Sequence, residues 1–242
     1  MALEIWNRAV VTGISDMTEN TKRFFFEVPE LEAFHFIPGQ FITVDLPIHQ
    51  KKNHRWRSYS IASAPDGTNQ FELVIVHAPY GLGTNYLWKE LRIGSSVQFK
   101  GPAGIFTLPK EMNTDICMIA TGTGVAPFRS MLLDLAAHPK EHKNIYLLYG
   151  SRYAKDVLYR NEFESLQTKI PGFKYLLALS RETDQAYTGH RGYVHPVYEN
   201  LFADKRPVHF YLCGWRNMVD EAKKRITAMG YDSKSVHVEI YG

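Results

Sequence analysis

Apolar and polar residues alternate with a period of two through much of the first 110 positions. The runs are Lys22 to Val28 (K-R-F-F-F-E-V), Gln40 to Leu46, Trp56 to Ala62, Phe71 to His77 and the shorter Val97 to Lys100. Pro, Gly and Asn punctuate the intervals, so each run predicts a half-buried β-strand. One segment, Thr84 to Leu91, has the spacing of a short helix instead. This half therefore predicts a small antiparallel β-barrel, six-stranded with a short helix.

The rhythm changes after Thr114. Short apolar runs (Ile116–Ala120, Asn144–Tyr149, Lys174–Leu179, His209–Cys213, Val236–Tyr241) now alternate with segments of helical spacing. Those segments are Phe128–Ala137, Asn161–Ile170, His195–Phe202 and Asn217–Met229. Strand and helix in turn predict βαβ units and a parallel sheet of five strands. The boundary falls at Pro109–Asn113, giving domains 1–110 and 111–242.

Composition narrows the function classes. At 242 residues, 45% apolar and 22% charged, the chain has the profile of a globular protein with two domains of ordinary size. No apolar run approaches the ~18–20 residues of a membrane span. The N-terminal MALEIWNRAVV lacks the basic and apolar regions of a secretory signal. A net charge of +3 without a clustered basic footprint argues against nucleic acid. Cys117 and Cys213 are too few and too distant for an iron–sulfur ligand set or a Cys-rich zinc site, so no metal is expected, and a reducing cytoplasm is the default compartment. Pro139 interrupts the His138/His142 spacing, and Ser130 lacks the flanking glycines of a hydrolase elbow.

Two turns carry candidate chemistry. Ile119-Ala120-Thr121-Gly122-Thr123-Gly124-Val125-Ala126-Pro127-Phe128 ends a strand and opens a helix. Glycines let the backbone approach a phosphate, and the helix N-terminus offers N–H groups and a positive dipole end. The same pattern also serves a plain strand-to-helix turn, and Pro127 departs from the Gly-x-Gly-x-x-Gly fingerprint. Gly81-Leu82-Gly83-Thr84 opens the short helix of the first half in the same manner. Upstream of it, Arg57-Ser58-Tyr59-Ser60 lies on a strand, with Arg57, Tyr59 and Ile61 on one side and Ser58 and Ser60 on the other. An arginine beside a tyrosine suits a phosphate next to an aromatic ring, or simply a polar strand. Ser180, Arg181, Arg191 and Tyr193 follow the third parallel strand, where they form either a phosphate cradle or ordinary loop polarity. Cys117 reads as core, whereas Cys213 ends its strand before Gly214 at the ligand edge.

Taken in order, these segments resemble the ferredoxin–NADP+ reductase family, most of all its plant-type branch. The shared signals are Arg57-x-Tyr59-Ser60, Gly81-Leu82-Gly83-Thr84-Asn85, Gly101-Pro102-Ala103-Gly104, Thr121 to Phe128, Leu179-Ser180-Arg181-Glu182, Tyr211-Leu212-Cys213-Gly214 and Val238-Glu239-Ile240-Tyr241. The resemblance implies a flavin-binding barrel, a Rossmann-like second domain, and FAD and NADP(H) as cofactors. It places Arg57, Leu82, Gly83 and Thr84 at the flavin diphosphate and Tyr59 and Tyr241 on the two flavin faces. Ser60 falls near the flavin N5, with Ile61, His77, Tyr80 and Thr123 in the flavin neighbourhood. Thr121, Gly122, Thr123, Gly124, Val125 and Pro127 would hold the coenzyme diphosphate. Cys213, Gly214 and Met218 would flank the nicotinamide, and Glu239 would support the active-site hydrogen bonds. Ser60, Cys213, Glu239 and Tyr241 would form the catalytic set.

The implied activity is NADPH-dependent. Hydride passes to FAD, and single electrons pass to a separate carrier, an acidic ferredoxin or flavodoxin that would face Lys51, Lys52 and Arg55, with Lys89 and Arg92 as further candidates. Ser180, Arg181 and Tyr193, with Arg191 adding charge, match the branch's 2′-phosphate set, which predicts NADPH over NADH by at least ~10-fold. A monomer is expected. Three departures stand out: Gly242 after the terminal tyrosine, a short Val76–Gly81 loop with only Tyr80 to meet the FAD adenine, and no Cys-rich ferredoxin domain. The alternatives are the reductase component of an oxygenase and a non-catalytic flavin-binding regulatory subunit.

Overall fold

The computed structural model describes residues 5–241, with the backbone alone at Tyr241; the Tyr241 ring and Gly242 lie outside the described residues. The chain divides into two compact units after Thr107, with Arg129–Asp134 grouping with the first.

The first unit is an antiparallel sheet of β1 (Asn7–Thr18), β2 (Thr21–Glu27), β3 (Phe41–Asp45), β4 (Trp56–Ser60), β5 (Gln70–Val76) and β6 (Ser96–Ala103). Its order is β4-β3-β6-β1-β2-β5. The two outer strands come together where the Ala62 amide donates to Glu72 O at 2.8 Å, which rolls the sheet into a barrel. Alternating residues fill it: Phe24, Phe26, Ile42, Val44, Phe71, Leu73 and Phe99 are buried. Phe26 stacks on Phe71 at 5.2 Å and Phe34 meets Phe99 edge-on at 5.5 Å. A helix, α1 (Leu82–Lys89), packs Leu87 into this core. The alternation did not reveal β1, because register shifts between Val11 and Gly13 and between Asp16 and Thr18 break its period.

A buried charge cluster ties this unit together. Glu72 takes a bidentate fork from Arg23 at 2.9 and 2.8 Å. Arg129 adds a third bond to the same carboxylate at 3.2 Å and donates to Ala62 O at 2.7 Å. Ser130, buried, donates to Ser63 O at 2.6 Å, which gives its hydroxyl a structural use.

The second unit holds β7 (Asp115–Thr121), the two ends of α2 (Ala126–Ala137, whose Arg129–Asp134 group with the first unit), β8 (Ile145–Ser151), α3 (Arg160–Lys169), β9 (Phe173–Leu179), β10 (His190–Arg191), α4 (His195–Leu201), β11 (Val208–Trp215), α5 (Arg216–Ala228) and β12 (Val236–Tyr241). All six strands are parallel, in the order β10-β9-β8-β7-β11-β12. The sequence predicted five. The sixth, β10, pairs only His190 with Ala178 and Arg191 with Leu179, and two residues carry no periodicity. The chain moves outward from β7 to β10 and then returns to the other side of β7. The order thus reverses between β7 and β11, and in open parallel sheets the crevice outside the strand ends at such a reversal receives the ligand. No helix among the described residues is long and apolar enough to cross a membrane.

At the opposite end of this sheet, Asp115 accepts from Arg206 Nε at 2.9 Å and from both the backbone and side-chain nitrogens of Asn144 at 3.2 and 3.1 Å. Arg206 also lies over the Phe202 ring at 4.4 Å. Arg206→Met keeps most of the stacking surface but leaves the mostly buried Asp115 without its cation. Loss of about 2–3 kcal/mol in urea denaturation is expected. An unchanged midpoint would show that Asn144 alone satisfies the carboxylate.

Candidate functional sites

In the first unit the site is built on the opening of α1. Gly81 takes the extended conformation of a helix N-cap but offers no side chain, so the first-turn amides face outward without a capping group. The preceding loop is cinched to this turn. Thr84 Oγ1 accepts the Ala78 amide at 3.1 Å, and the Asn85 amide group donates to Pro79 O at 2.8 Å and Gly81 O at 3.0 Å. His77 Nε2 lies 3.2 Å from Asn85 Oδ1, so His77 holds the loop from its other end.

Arg57 crosses this turn. A Cβ on Gly83 would stand 2.9 Å from Arg57 Cγ, so only glycine lets the arginine lie against the helix opening. One guanidinium nitrogen is anchored on His54 O (3.0 Å) and Trp56 O (2.8 Å). A guanidinium over a helix N-terminus is an anion cradle, and it suits the diphosphate of a dinucleotide. Thr43 and Ser58 share a hydroxyl hydrogen bond of 2.9 Å on one side, while Ile61 is fully buried on the other. Ser60 is buried opposite Phe41. Tyr59 is half-buried, and desolvation pushes its phenol well above the ordinary range, so the ring presents a neutral face. Tyr80 is fully exposed and Leu82 is 58% exposed, two apolar surfaces beside the cradle.

Gly83→Ala is expected to push Arg57 off the helix opening and to weaken FAD retention about tenfold, read as flavin released on dilution. Retention equal to the wild type would mean that Arg57 does not share the anion with the α1 amides.

In the second unit the site sits at the reversal between β7 and β11. Gly122 has φ +55°, and its carbonyl accepts the Tyr149 hydroxyl at 3.0 Å. A tight turn over Gly122–Val125 then leads into α2, with Pro127 in its first turn and no side chain capping the entry at Thr121. The turn presses on the end of β11. A Cβ on Gly124 would lie 2.4 Å from Cys213 O, and one on Gly214, at φ +136°, would lie 2.4 Å from Thr121 Oγ1. That same Oγ1 accepts the Trp215 amide at 3.3 Å. Gly124 and Gly214 thus let the two strand ends come into backbone contact, with Thr123 and Val125 carried on the turn. Cys213 is buried and pairs in register with Glu239, and Gly214 pairs with Ile240. Met218 is half-buried in the first turns of α5, and Trp215 stands 64% exposed. Cys117 is core, its thiol raised by burial.

At the end of β9, Ser180 N–H and its hydroxyl both reach Ser151 O, at 3.0 and 3.3 Å, and the Arg181 amide donates to Arg152 O at 2.9 Å. The β8–β9 register (Ser151 opposite Leu179) therefore continues one step and sets Arg152 beside Ser180. Arg152 was missed by the sequence reading; its only signal is its position just past an apolar strand, and its neighbour appears only once the sheet order is known. Tyr193 is 74% exposed. Arg191 is not poised as an open fork: it donates to Glu182 O (2.7 Å), Asp184 O (2.6 Å) and Tyr187 O (3.0 Å). Its charge stays in the neighbourhood while its donors fix the 182–187 loop.

Fold and sites together define a two-domain oxidoreductase with one flavin-binding and one pyridine-nucleotide-binding unit. Residues 8–108 match the oxidoreductase FAD-binding domain and residues 118–224 the oxidoreductase NAD-binding domain. Ferredoxin–NADP reductase B of Sorangium cellulosum is 33% identical over 242 residues, covering 96% of each chain. The chain belongs to the ferredoxin–NADP+ reductase family. It is also 30% identical to the toluate 1,2-dioxygenase electron transfer component of Pseudomonas putida, over 96% of this chain but 66% of that one. Among solved structures it resembles the Amycolatopsis cytochrome P450 reductase GcoB (TM-score 0.85, 26% identity, 99% of this chain and 71% of that one). It also shares the fold of a ferredoxin–NADP+ reductase from Neisseria gonorrhoeae with bound FAD and NADP (TM-score 0.80, 18% identity, 97% and 98% coverage).

Proposed function

We propose that this protein is an NADPH-dependent FAD oxidoreductase of the ferredoxin–NADP+ reductase type, delivering electrons to a separate one-electron carrier. The observation that carries the coenzyme choice is the end of β9. A cofactor without a 2′-phosphate is usually read by an acid on the ribose. Here the nearby acid, Glu182, spends its carboxylate on the amides of Ala154, Thr183 and Asp184, each at 2.9 Å. Arg152, Ser180 and Arg181 are what remains to face the ribose, and they suit a dianion.

In this reading residues 1–110 hold the flavin and 111–242 the coenzyme. Arg57 and the Leu82, Gly83 and Thr84 amides bind the flavin diphosphate, and Tyr59 lies against the ring system, which Ser60 also meets. The Thr121–Pro127 turn binds the coenzyme diphosphate, and Cys213 and Glu239 belong to the nicotinamide end of the site with Tyr241. Bound there, the flavin supplies the conversion of a two-electron hydride donor into single electrons. The protein supplies binding, orientation and electrostatics.

The carrier is proposed to be acidic. Lys51, Lys52, Lys89 and Arg92 are exposed, whereas Arg55 is already paired with Asp45 at 2.7 Å. A second reading is favoured by the likeness to the toluate dioxygenase component: reductase to an oxygenase whose iron–sulfur protein is another chain. The test is NADPH-driven reduction of a ferredoxin and of a flavodoxin by the FAD-loaded protein across a salt series. Reduction that slows as salt rises supports the first reading. Failure with both carriers, beside rapid reduction of an oxygenase iron–sulfur component with NADH, supports the second.

A further inference from the structure

Glu182 links two loops through its side chain. One carboxylate oxygen accepts the Ala154 amide at 2.9 Å, reaching from the end of β9 to the short turn Ala154–Asp156 that follows β8. The other accepts the Thr183 and Asp184 amides, both at 2.9 Å. Its main-chain oxygen takes Arg191 Nη1 at 2.7 Å. Three amides and a guanidinium hold one residue from both ends, and the residue sits directly after Ser180 and Arg181. On the far side of the clasp, Arg152 lies two positions before Ala154. Backbone pairing alone joins Arg152 to Arg181 there, through a single 2.9 Å bond.

We propose that Glu182 is a positioning residue for coenzyme choice: by fastening the Ala154 turn to the end of β9, it keeps Arg152 in register beside Ser180 and Arg181, so that the three act on one phosphate. This rests on the 2′-phosphate reading given above. A carboxylate next to a phosphate would otherwise repel it, and its place here makes sense only because its oxygens are turned onto amide donors. Bonds to an ionised acceptor are the stronger kind, so the clasp stiffens the Ala154 turn against the end of β9.

Two variants test this by different routes. Glu182→Ala removes the acceptor. Ala154→Pro removes the donor and leaves Glu182 intact; Tyr153 is already extended, as a residue before proline must be, and position 154 opens its turn, where no amide bond of the turn is lost. With the FAD-loaded protein, the ratio of kcat/KM for NADPH to that for NADH is expected to fall about tenfold in Glu182→Ala and about threefold in Ala154→Pro. The affinity for 2′-AMP should fall by the same factors and that for 5′-AMP should hold. Glu182→Gln, which keeps one acceptor oxygen, should lie between Glu182→Ala and the wild type.

Equal losses for both coenzymes, an unchanged ratio in both variants, or better use of NADPH by Glu182→Ala would each overturn the positioning role. A wild type that binds 2′-AMP no better than 5′-AMP would instead remove the 2′-phosphate reading itself, and the positioning role with it.

Discussion

Reversing the charge at Arg181 is expected to raise the KM for NADPH by about 100-fold or more, the loss of one charge-assisted pair plus a new repulsion. The KM for NADH should move far less. The Arg181 backbone is fixed by its bond to Arg152 O, so Arg181→Glu changes the side chain's charge without dismantling the strand end. A 2′-phosphate gains from a planar donor fork and loses when a carboxylate replaces it, whereas a ribose hydroxyl is indifferent or better served. Steady-state kinetics with both coenzymes reads the effect directly. Equal increases for NADH and NADPH would place Arg181 at a part of the coenzyme common to both.

The second large effect belongs to Gly124. Its missing side chain is where the Gly122–Val125 turn meets the end of β11, with Cys213 O 2.4 Å and Gly214 Cα 2.6 Å from the position a Cβ would take. Both obstacles are main chain in the centre of a parallel sheet, and packed interiors relax little. Gly124→Val is expected to cost about 3 kcal/mol or more in stability and to abolish reduction by NADPH in whatever protein folds. Gly67→Ala makes the contrast. That glycine, unlike Gly124, has positive φ, +79°, but nothing lies within 4 Å of an added Cβ, so only backbone strain of about 1 kcal/mol remains. Urea denaturation of the two variants, with flavin bleaching of each, measures the difference. Similar midpoints would mean that the β11 end yields to a side chain at 124.

Much of this architecture was readable in the chain, and the failures have physical causes. The parallel half announces itself because its strands are buried on both faces and read as unbroken apolar runs, such as Ile116–Ala120. The turns at Gly81–Thr84 and Thr121–Pro127 were legible because glycine and proline carry backbone meaning of their own. β1 was hidden by its bulges, and β10 by its length. The Arg23–Glu72–Arg129 cluster joins residues 106 positions apart in sequence, from Arg23 to Arg129, and no local pattern predicts such a pairing. Arg191 was legible as a cation near the end of β9, but its three carbonyl partners depend on the path of the 182–187 loop. Arg152 becomes a neighbour of Ser180 only through the β8–β9 register. Residue type and local spacing thus named the candidate residues, while sheet order decided which of them are neighbours.

In the proposed function, the NADP(H) form of the coenzyme reduces a flavin held by this chain. Anaerobic titration of the FAD-loaded protein with NADPH and, separately, NADH, followed by loss of the flavin's visible absorbance, tests it most directly. Rapid bleaching by NADPH is expected at no more than about one tenth of the NADH concentration needed for the same rate. Preferential bleaching by NADH would contradict the role given to Arg152, Ser180 and Arg181, and bound flavin that neither coenzyme bleaches would contradict the oxidoreductase reading itself.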